Sequence, residues 1–324
     1  MIAPLSMIAP LRIAHMTPQL PIIQGGMAVR VSTGRLAAAV ANAGGIGTIA
    51  GTGLSPGELI AEIRKARQQS TGYIGVNVLF AVNQFAELVK TAMRERVDFI
   101  ISGAGFSRDM FTWGKEYGVP VISIVSSARL AATAEKMGAA AIVAEGKEAG
   151  GHLGTDRSVK EILPEVLDAT HLPVIAAGGI MDGFDAAEMI KAGASGVQMA
   201  TRFVTSAECE ADDKFKRMYL TASKSDVVLI KSPVGMPGRA LRNKFTELLQ
   251  RADAHPLIEK CRQCLKRCSA EYCIMDVLRK SVTGDTENGL VFAGEFVYKV
   301  KQILPVGEIM QQIAGQLETS LGNT

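Results

Sequence analysis

The chemistry available to this chain is concentrated in two places. His152 stands in the stretch AEGKEAGGHLG (144–154), among glycines and directly after the apolar run AAAIVAEG (139–146). An imidazole, with an ordinary pKa of about 6.5, is a suitable base for a mildly acidic carbon. Adjacent glycines let backbone approach a ligand that any side chain would hold off. The other histidines have weaker claims: His15 lies near the N-terminus, His171 precedes an apolar run, and His255 lies in a polar stretch. The second place is the run C-x2-C-x3-C-x4-C formed by Cys261, Cys264, Cys268 and Cys273. Four thiolates so spaced suit zinc or a [4Fe–4S] cluster. The plainer alternative is a helix with free thiols, since 261, 264 and 268 share one helical face.

Such groups act only where regular elements hold them. Apolar strand-like runs recur as PIIQ (21–24), GIGTIAG (45–51), YIGVNV (73–78), VDFIISG (97–103), VPVISIVS (119–126), AAAIVAEG (139–146), LPVIAAGG (172–179) and GVQMATRF (196–203). Helical patterns such as TGRLAAAVANA, SPGELIAEIRKARQ and FDAAEMIKAG alternate with them, and PVGEIMQQIAGQLE supplies the eighth. Eight βα units in ~200 residues predict an α/β fold of the (β/α)8 TIM-barrel type. A doubly wound sheet would carry a G-x-G-x-x-G turn after its first strand. Here that turn reads QGGMAVRVS.

The predicted organisation is an N-terminal tail (1–18), a barrel (19–204 and 286–324), and a basic, cysteine-bearing insert (205–285) placed to act as lid or substrate platform. The tail repeats MIAPL at 1–5 and 7–11 and is expected to be loose and without function. Between 214 and 280, 15 Lys or Arg face 6 Asp or Glu, a local balance of +9 that leaves −6 for the rest of a chain whose net charge is +3. An anion is the expected visitor: nicotinamide-cofactor phosphates, coenzyme A, or an acidic acyl carrier protein. Nucleic acid is not expected, because no binding motif or interleaved aromatics accompany the charge.

No apolar run is long enough for a membrane span, and the N-terminus lacks a basic signal region. Five cysteines, an odd number, in a large apolar chain point to a reducing cytoplasm. A homodimer is the assembly allowed for.

The glycine motifs all fall at predicted strand ends: QGGM (24–27), SGAG (102–105), EAGGHLG (148–154) and AAGGIMDG (176–183), with GVN (75–77) and QMATRF (198–203) ending their own strands. In a barrel these converge on one mouth. The loops after strands 7 and 8 are the common phosphate site. Backbone N–H groups of Gly178, Gly179, Ala200 and Thr201, with the Thr201 hydroxyl, suit a dianion there. Asn77, Gln24 and Gln198 are amides inside apolar strands, either bonded to neighbouring strand ends or reading the alternating donors and acceptors of a flavin edge.

Taken together, PIIQGGM, GVN, AEGKEAGGHLG, VIAAGGI, QMATRF and GRALRN (238–243) resemble the nitronate monooxygenases (2-nitropropane dioxygenases). They resemble equally the flavin-dependent enoyl-acyl-carrier-protein reductase II enzymes. The resemblance implies an FMN-bearing barrel with His152 as the catalytic residue. The cofactor-binding residues it implies are Gly25, Gly26, Met27, Asn77, Glu145, Gly150, Gly151, Gly178, Gly179, Gln198, Met199, Ala200 and Thr201. Ala200 departs from a glycine found in many relatives, so the turn must keep a negative φ there. The cysteine run is similar in part to the [4Fe–4S] segment of other flavin barrels, whose last gap is longer. A barrel using a loop 6 cysteine is excluded, because no cysteine precedes residue 209.

The expected activity is FMN-dependent oxidation of alkyl nitronates. Enoyl-thioester reduction by NAD(P)H stands second, supported by QGGM and the basic insert, and a non-catalytic flavin or iron–sulfur carrier stands third.

Overall fold

The computed structural model describes residues 9–103, 105–251, 256, 258 and 261–322. Eight parallel strands form its centre: β1 (Ile22–Gln24), β2 (Gly47–Ala50), β3 (Ile74–Asn77), β4 (Ile100–Ser102), β5 (Val121–Val125), β6 (Ala141–Glu145), β8 (Val174–Ala177) and β9 (Gly196–Met199). Their order is β1-β9-β8-β6-β5-β4-β3-β2. The ring closes where Ile23 bridges Ile46, with Gln24 N–H donating to the Ile46 carbonyl. This is the (β/α)8 barrel, and all eight predicted strands occupy it.

The outer ring is α1 (Gly34–Asn42), α2 (Pro56–Gln69), α3 (Phe85–Arg94), α4 (Arg108–Tyr117), α5 (Ala128–Met137), α6 (Val159–Asp168), α7 (Gly183–Lys191) and, last, α12 (Val306–Gly322). Between α7 and α12 come α8 (Thr201–Val204), α9 (Asp213–Thr221), α10 (Lys244–Gln250) and α11 (Ile274–Val282). Local chemistry starts several of the outer helices. Ser55 and Ser158 form capping boxes with Glu58 and Glu161, satisfying amides that no helical carbonyl can reach.

Two apolar layers follow from the strand pleat. One set of side chains faces the helices. The other, including Ile23, Ile46, Phe99, Ile101, Val143 and Ile175, fills the barrel interior. Leu11, Ile13 and Met16 belong to that inner layer and are at most 1% exposed. The described part of the expected loose tail is therefore a plug. A short turn, with Ile13 and Met16 exchanging backbone hydrogen bonds, carries apolar side chains that water would otherwise meet.

The insert adds a second sheet. β10 (Val227–Lys231) and β11 (Pro237–Leu241) form an antiparallel hairpin, and β11 also pairs with the two-residue strand β7 (Gly151–His152). Residues beyond 285 continue to serve this region: Leu241 N–H donates to Val291 and Phe245 N–H to Glu287. Among the described residues, no helix is long and apolar enough to cross a membrane.

Candidate active site

A cavity opens at the C-terminal ends of the barrel strands. It is lined by Gly25, Gly26, Met27, Asn77, Glu145, Gly150, Gly151, His152, Gly178, Gly179, Gln198, Ala200 and Thr201. Among the sequence-predicted site residues outside the cysteine run, only Met199 is missing from this wall. Its side chain is buried in the helix-facing core, because consecutive residues of a strand point to opposite faces. What Met199 contributes is its carbonyl, which accepts the Gly25 N–H at 2.8 Å.

The first loop is held by side chains that do not themselves line the cavity. The Ser32 hydroxyl accepts the Met27 N–H at 2.9 Å and donates to the Gly25 carbonyl at 3.2 Å. Gln24 donates to Ser32 Oγ at 2.8 Å and also to the Gly25 carbonyl, while its Oε1 accepts the Thr48 N–H at 3.1 Å. Of the two readings open for Gln24, the bonded strand end is correct. Ser32 gave no sequence signal beyond its place eight residues downstream. Gly26 lies so close to β3 that a Cβ there would stand 2.4 Å from Asn77 Cβ.

The wall opposite has the features of an anion cradle. Gly178 and Gly179 adopt φ of 103° and 75°, open to glycine and strained for other residues. A Cβ on Gly179 would also meet Phe296 at 2.8 Å. Ala200 caps α8 with φ −124°, so alanine meets the requirement set by its replacing glycine. Thr201 Oγ1 accepts the Gly294 N–H at 3.0 Å, which leaves its own proton available to an acceptor in the cavity. Gln198 Oε1 is buried with no partner, and a buried amide oxygen of this kind calls for a donor.

His152 is positioned from two directions. Backbone pairing of β7 with Gly238 and Arg239 of β11 fixes its main chain. Ser232 Oγ lies 2.7 Å from its Nε2, and Phe292 packs edge-on with ring centroids 5.2 Å apart. Arg239 ties the same loop down by donating to the Lys147 carbonyl at 2.7 Å. The histidine therefore sits in a strand shared with the insert rather than in the free turn the glycines suggested.

Two titratable groups of the cavity are displaced in opposite directions. Removal from bulk water lowers His152 from 6.5 to about 4 and raises Glu145 from 4.5 to about 7. At neutral pH the imidazole is uncharged, and the carboxyl is the group poised to exchange a proton.

The roof comes from the insert and the residues just beyond it: Val234, Leu265, Ile274, Met275 and Leu278 line the outer part of the cavity together with Leu290. No periodic signal marked these as one surface. The cysteines stand near the roof but do not line the cavity. Their segment, residues 261–273, is irregular, so the shared helical face does not form, and Cys273 caps α11. Among the described residues, no group of three or more His, Cys, Asp or Glu is arranged to hold a metal. His15 pairs with Asp98 at 3.4 Å, away from the site, and His255 lies outside the described residues.

Comparison with known proteins converges on one family. The nitronate monooxygenase family model matches residues 10–92 and 80–316. The (3aS,4S,5R,7aS)-5-hydroxy-7a-methyl-1-oxo-octahydro-1H-indene-4-carboxyl-CoA dehydrogenase of Mycobacterium tuberculosis is 36% identical over 71% of this chain. That match spans 65% of the relative's own length. A probable nitronate monooxygenase of Staphylococcus aureus is 29% identical over 92% of this chain and 94% of its own. The structure of FabK from Thermotoga maritima superposes with a TM-score of 0.84 and 33% identity, covering 94% of this chain and 95% of that one.

Proposed function

Since the chain is an oxidoreductase belonging to the nitronate monooxygenase family, we propose that it uses FMN to reduce the carbon–carbon double bond of an enoyl thioester. The observation that carries this reading is the roof. Six apolar side chains over the outer cavity offer an acyl chain a surface that a compact nitronate would leave uncovered. The likeness to FabK over nearly the whole chain supports the same substrate class.

The residues present fit FMN. Gly178, Gly179 and Thr201 would hold its phosphate, Gly25–Met27 would pass beside the ring system, and the unpartnered Gln198 Oε1 would accept from a ring N–H. When bound, FMN supplies transfer of two electrons between NAD(P)H and substrate. The protein supplies position and protons. His152, neutral and held by Ser232, donates a hydrogen bond to the thioester carbonyl as charge grows on that oxygen. The β-carbon gains hydride and the α-carbon gains a proton, and Glu145 is the cavity group that holds an exchangeable proton at neutral pH. The +9 segment around the roof would receive the phosphates of coenzyme A or an acidic acyl carrier protein.

Nitronate oxidation is the second reading. The uncharged His152 is compatible with it, since a neutral imidazole can take the α-proton of the parent nitroalkane and so generate the nitronate to be oxidised.

The deciding experiment is anaerobic stopped-flow absorbance of the flavin-loaded enzyme mixed separately with NADH, NADPH and propyl-2-nitronate, then with crotonyl-CoA after reduction. Bleaching by a nicotinamide and recovery of colour with the enoyl thioester are expected. Bleaching by the nitronate alone would replace this reading with the second one.

A further inference from the structure

The cysteine segment has features that neither the cavity nor the proposed reaction uses. Its four cysteines fall within thirteen residues that form no helix or strand of their own. Two turns in this segment repeat one geometry. Gln263 N–H donates to Cys261 Sγ at 3.4 Å, and Ala270 N–H donates to Cys268 Sγ at 3.4 Å. In both, the donor lies two residues after its cysteine and has left-handed backbone, φ 49° at Gln263 and 57° at Ala270. Among the described residues only five non-glycine positions have positive φ, and two of them are these. Side-chain-bearing residues seldom adopt this conformation without a reason. Here it aims a backbone donor at a sulfur, which stabilises charge on that sulfur and tunes thiolate-bound metal centres.

The segment is also fastened in place. Asn83 N–H donates to the Cys264 carbonyl at 2.9 Å, and Lys266 N–H donates to the Ala81 carbonyl at 2.9 Å. Cys264 and Cys273 are half-buried, while Cys261 and Cys268 are exposed. Cys264 lies within electrostatic reach of the other three. The thiols thus share one neighbourhood without converging on a single-ion position.

We propose that Cys261, Cys264, Cys268 and Cys273 ligate an iron–sulfur cluster that clamps the roof of the cavity. A cluster is chosen over one ion because a tetrahedral zinc site gathers four sulfurs around a point, a grouping absent among the described residues, whereas a four-iron cube holds its four thiolates on separate irons. Assembly takes ferrous and ferric iron in equal number together with sulfide, and the four thiols lose their protons as they bind. The clamp has a mechanical logic. Leu265 lies between two of these cysteines, and Ile274 and Met275 follow the last; all three line the cavity. Fixing the sulfurs fixes three apolar walls of the substrate site.

The test is anaerobic purification of the full chain, with iron, zinc and acid-labile sulfide measured per chain and electron paramagnetic resonance recorded after dithionite. About four irons and four sulfides per chain are expected, with a cluster signal. Cys261→Ser and Cys268→Ser, at exposed sulfurs, should each lower bound iron by about tenfold or more while circular dichroism stays native. Iron and sulfide near zero, both as purified and after reconstitution with ferrous iron, ferric iron and sulfide, would overturn the proposal. So would iron that survives the double variant, or stoichiometric zinc in place of iron and sulfide.

Discussion

The cavity has two halves built by different rules. The floor is made of strand ends and glycine turns, held by short-range hydrogen bonds such as Ser32 to Gly25 and Met27. The roof is made of apolar side chains delivered by a hairpin, a helix and an irregular cysteine segment from a separate stretch of chain. The floor is polar and rigid, suited to a group that stays. The roof is apolar and fastened at a few points, suited to a group that comes and goes. Cofactor retention and substrate choice therefore belong to different parts of the molecule, and substitutions should separate them.

The largest effect is expected at the residue where the halves meet. His152→Ala should lower kcat at least ~100-fold with flavin content unchanged, measured as steady-state turnover beside the flavin-to-protein ratio. An unchanged rate would remove His152 from the catalytic machinery. Gly26→Ala tests the floor. A Cβ against Asn77 at 2.4 Å forces the loop outward. FMN affinity should fall by roughly tenfold to a hundredfold on titration of apoprotein, whereas roof substitutions should leave it intact.

Glu145→Gln sharpens the electrostatics of the floor. The native carboxyl stays protonated to about 7, while in the unfolded chain it ionises at 4.5. Stability from this group is thus complete below 4.5 and is lost as pH rises through 7. The glutamine variant should gain on the order of 2 kcal/mol relative to wild type at pH 8 and little at pH 4, read from urea midpoints. His152 has the opposite sign: its contribution is present above 6.5 and lost as pH falls through 4, so His152→Ala should flatten the acid limb. The smallest effect is expected from the roof. Ser232→Ala should lower kcat about five- to tenfold through loss of one hydrogen bond, with KM for nicotinamide unchanged. A loss equal to that of His152→Ala would mean that Ser232 touches substrate directly.

The same division decided what could be read from the sequence. Each barrel strand announces itself as a short apolar run bounded by helical patterns, and glycines at strand ends mark the mouth. The wall glycines, Ala200, Thr201 and His152 were legible on that basis, whereas Met27 and Glu145 were named only through the family resemblance. Met199 turns its side chain away from the cavity because a motif names neighbours together while the pleat sends them apart. The roof was illegible because Leu265, Leu278 and Leu290 have no common period. They meet only through long-range pairing such as β7 with β11. The plug was missed for a related reason: Leu11, Ile13 and Met16 follow no helix or strand pattern, and only the barrel's interior explains their burial. The cysteine run could be read as a spacing but not as a shape.

The pairing of β7 with β11 carries one further meaning. Here the histidine's own backbone is an edge strand of the lid's sheet, and its ring is gripped by the lid's serine. Lifting the hairpin would unzip the strand that carries His152 and release the imidazole in the same motion. Admission of substrate and arming of the site then become one mechanical event, and the open enzyme is an idle one.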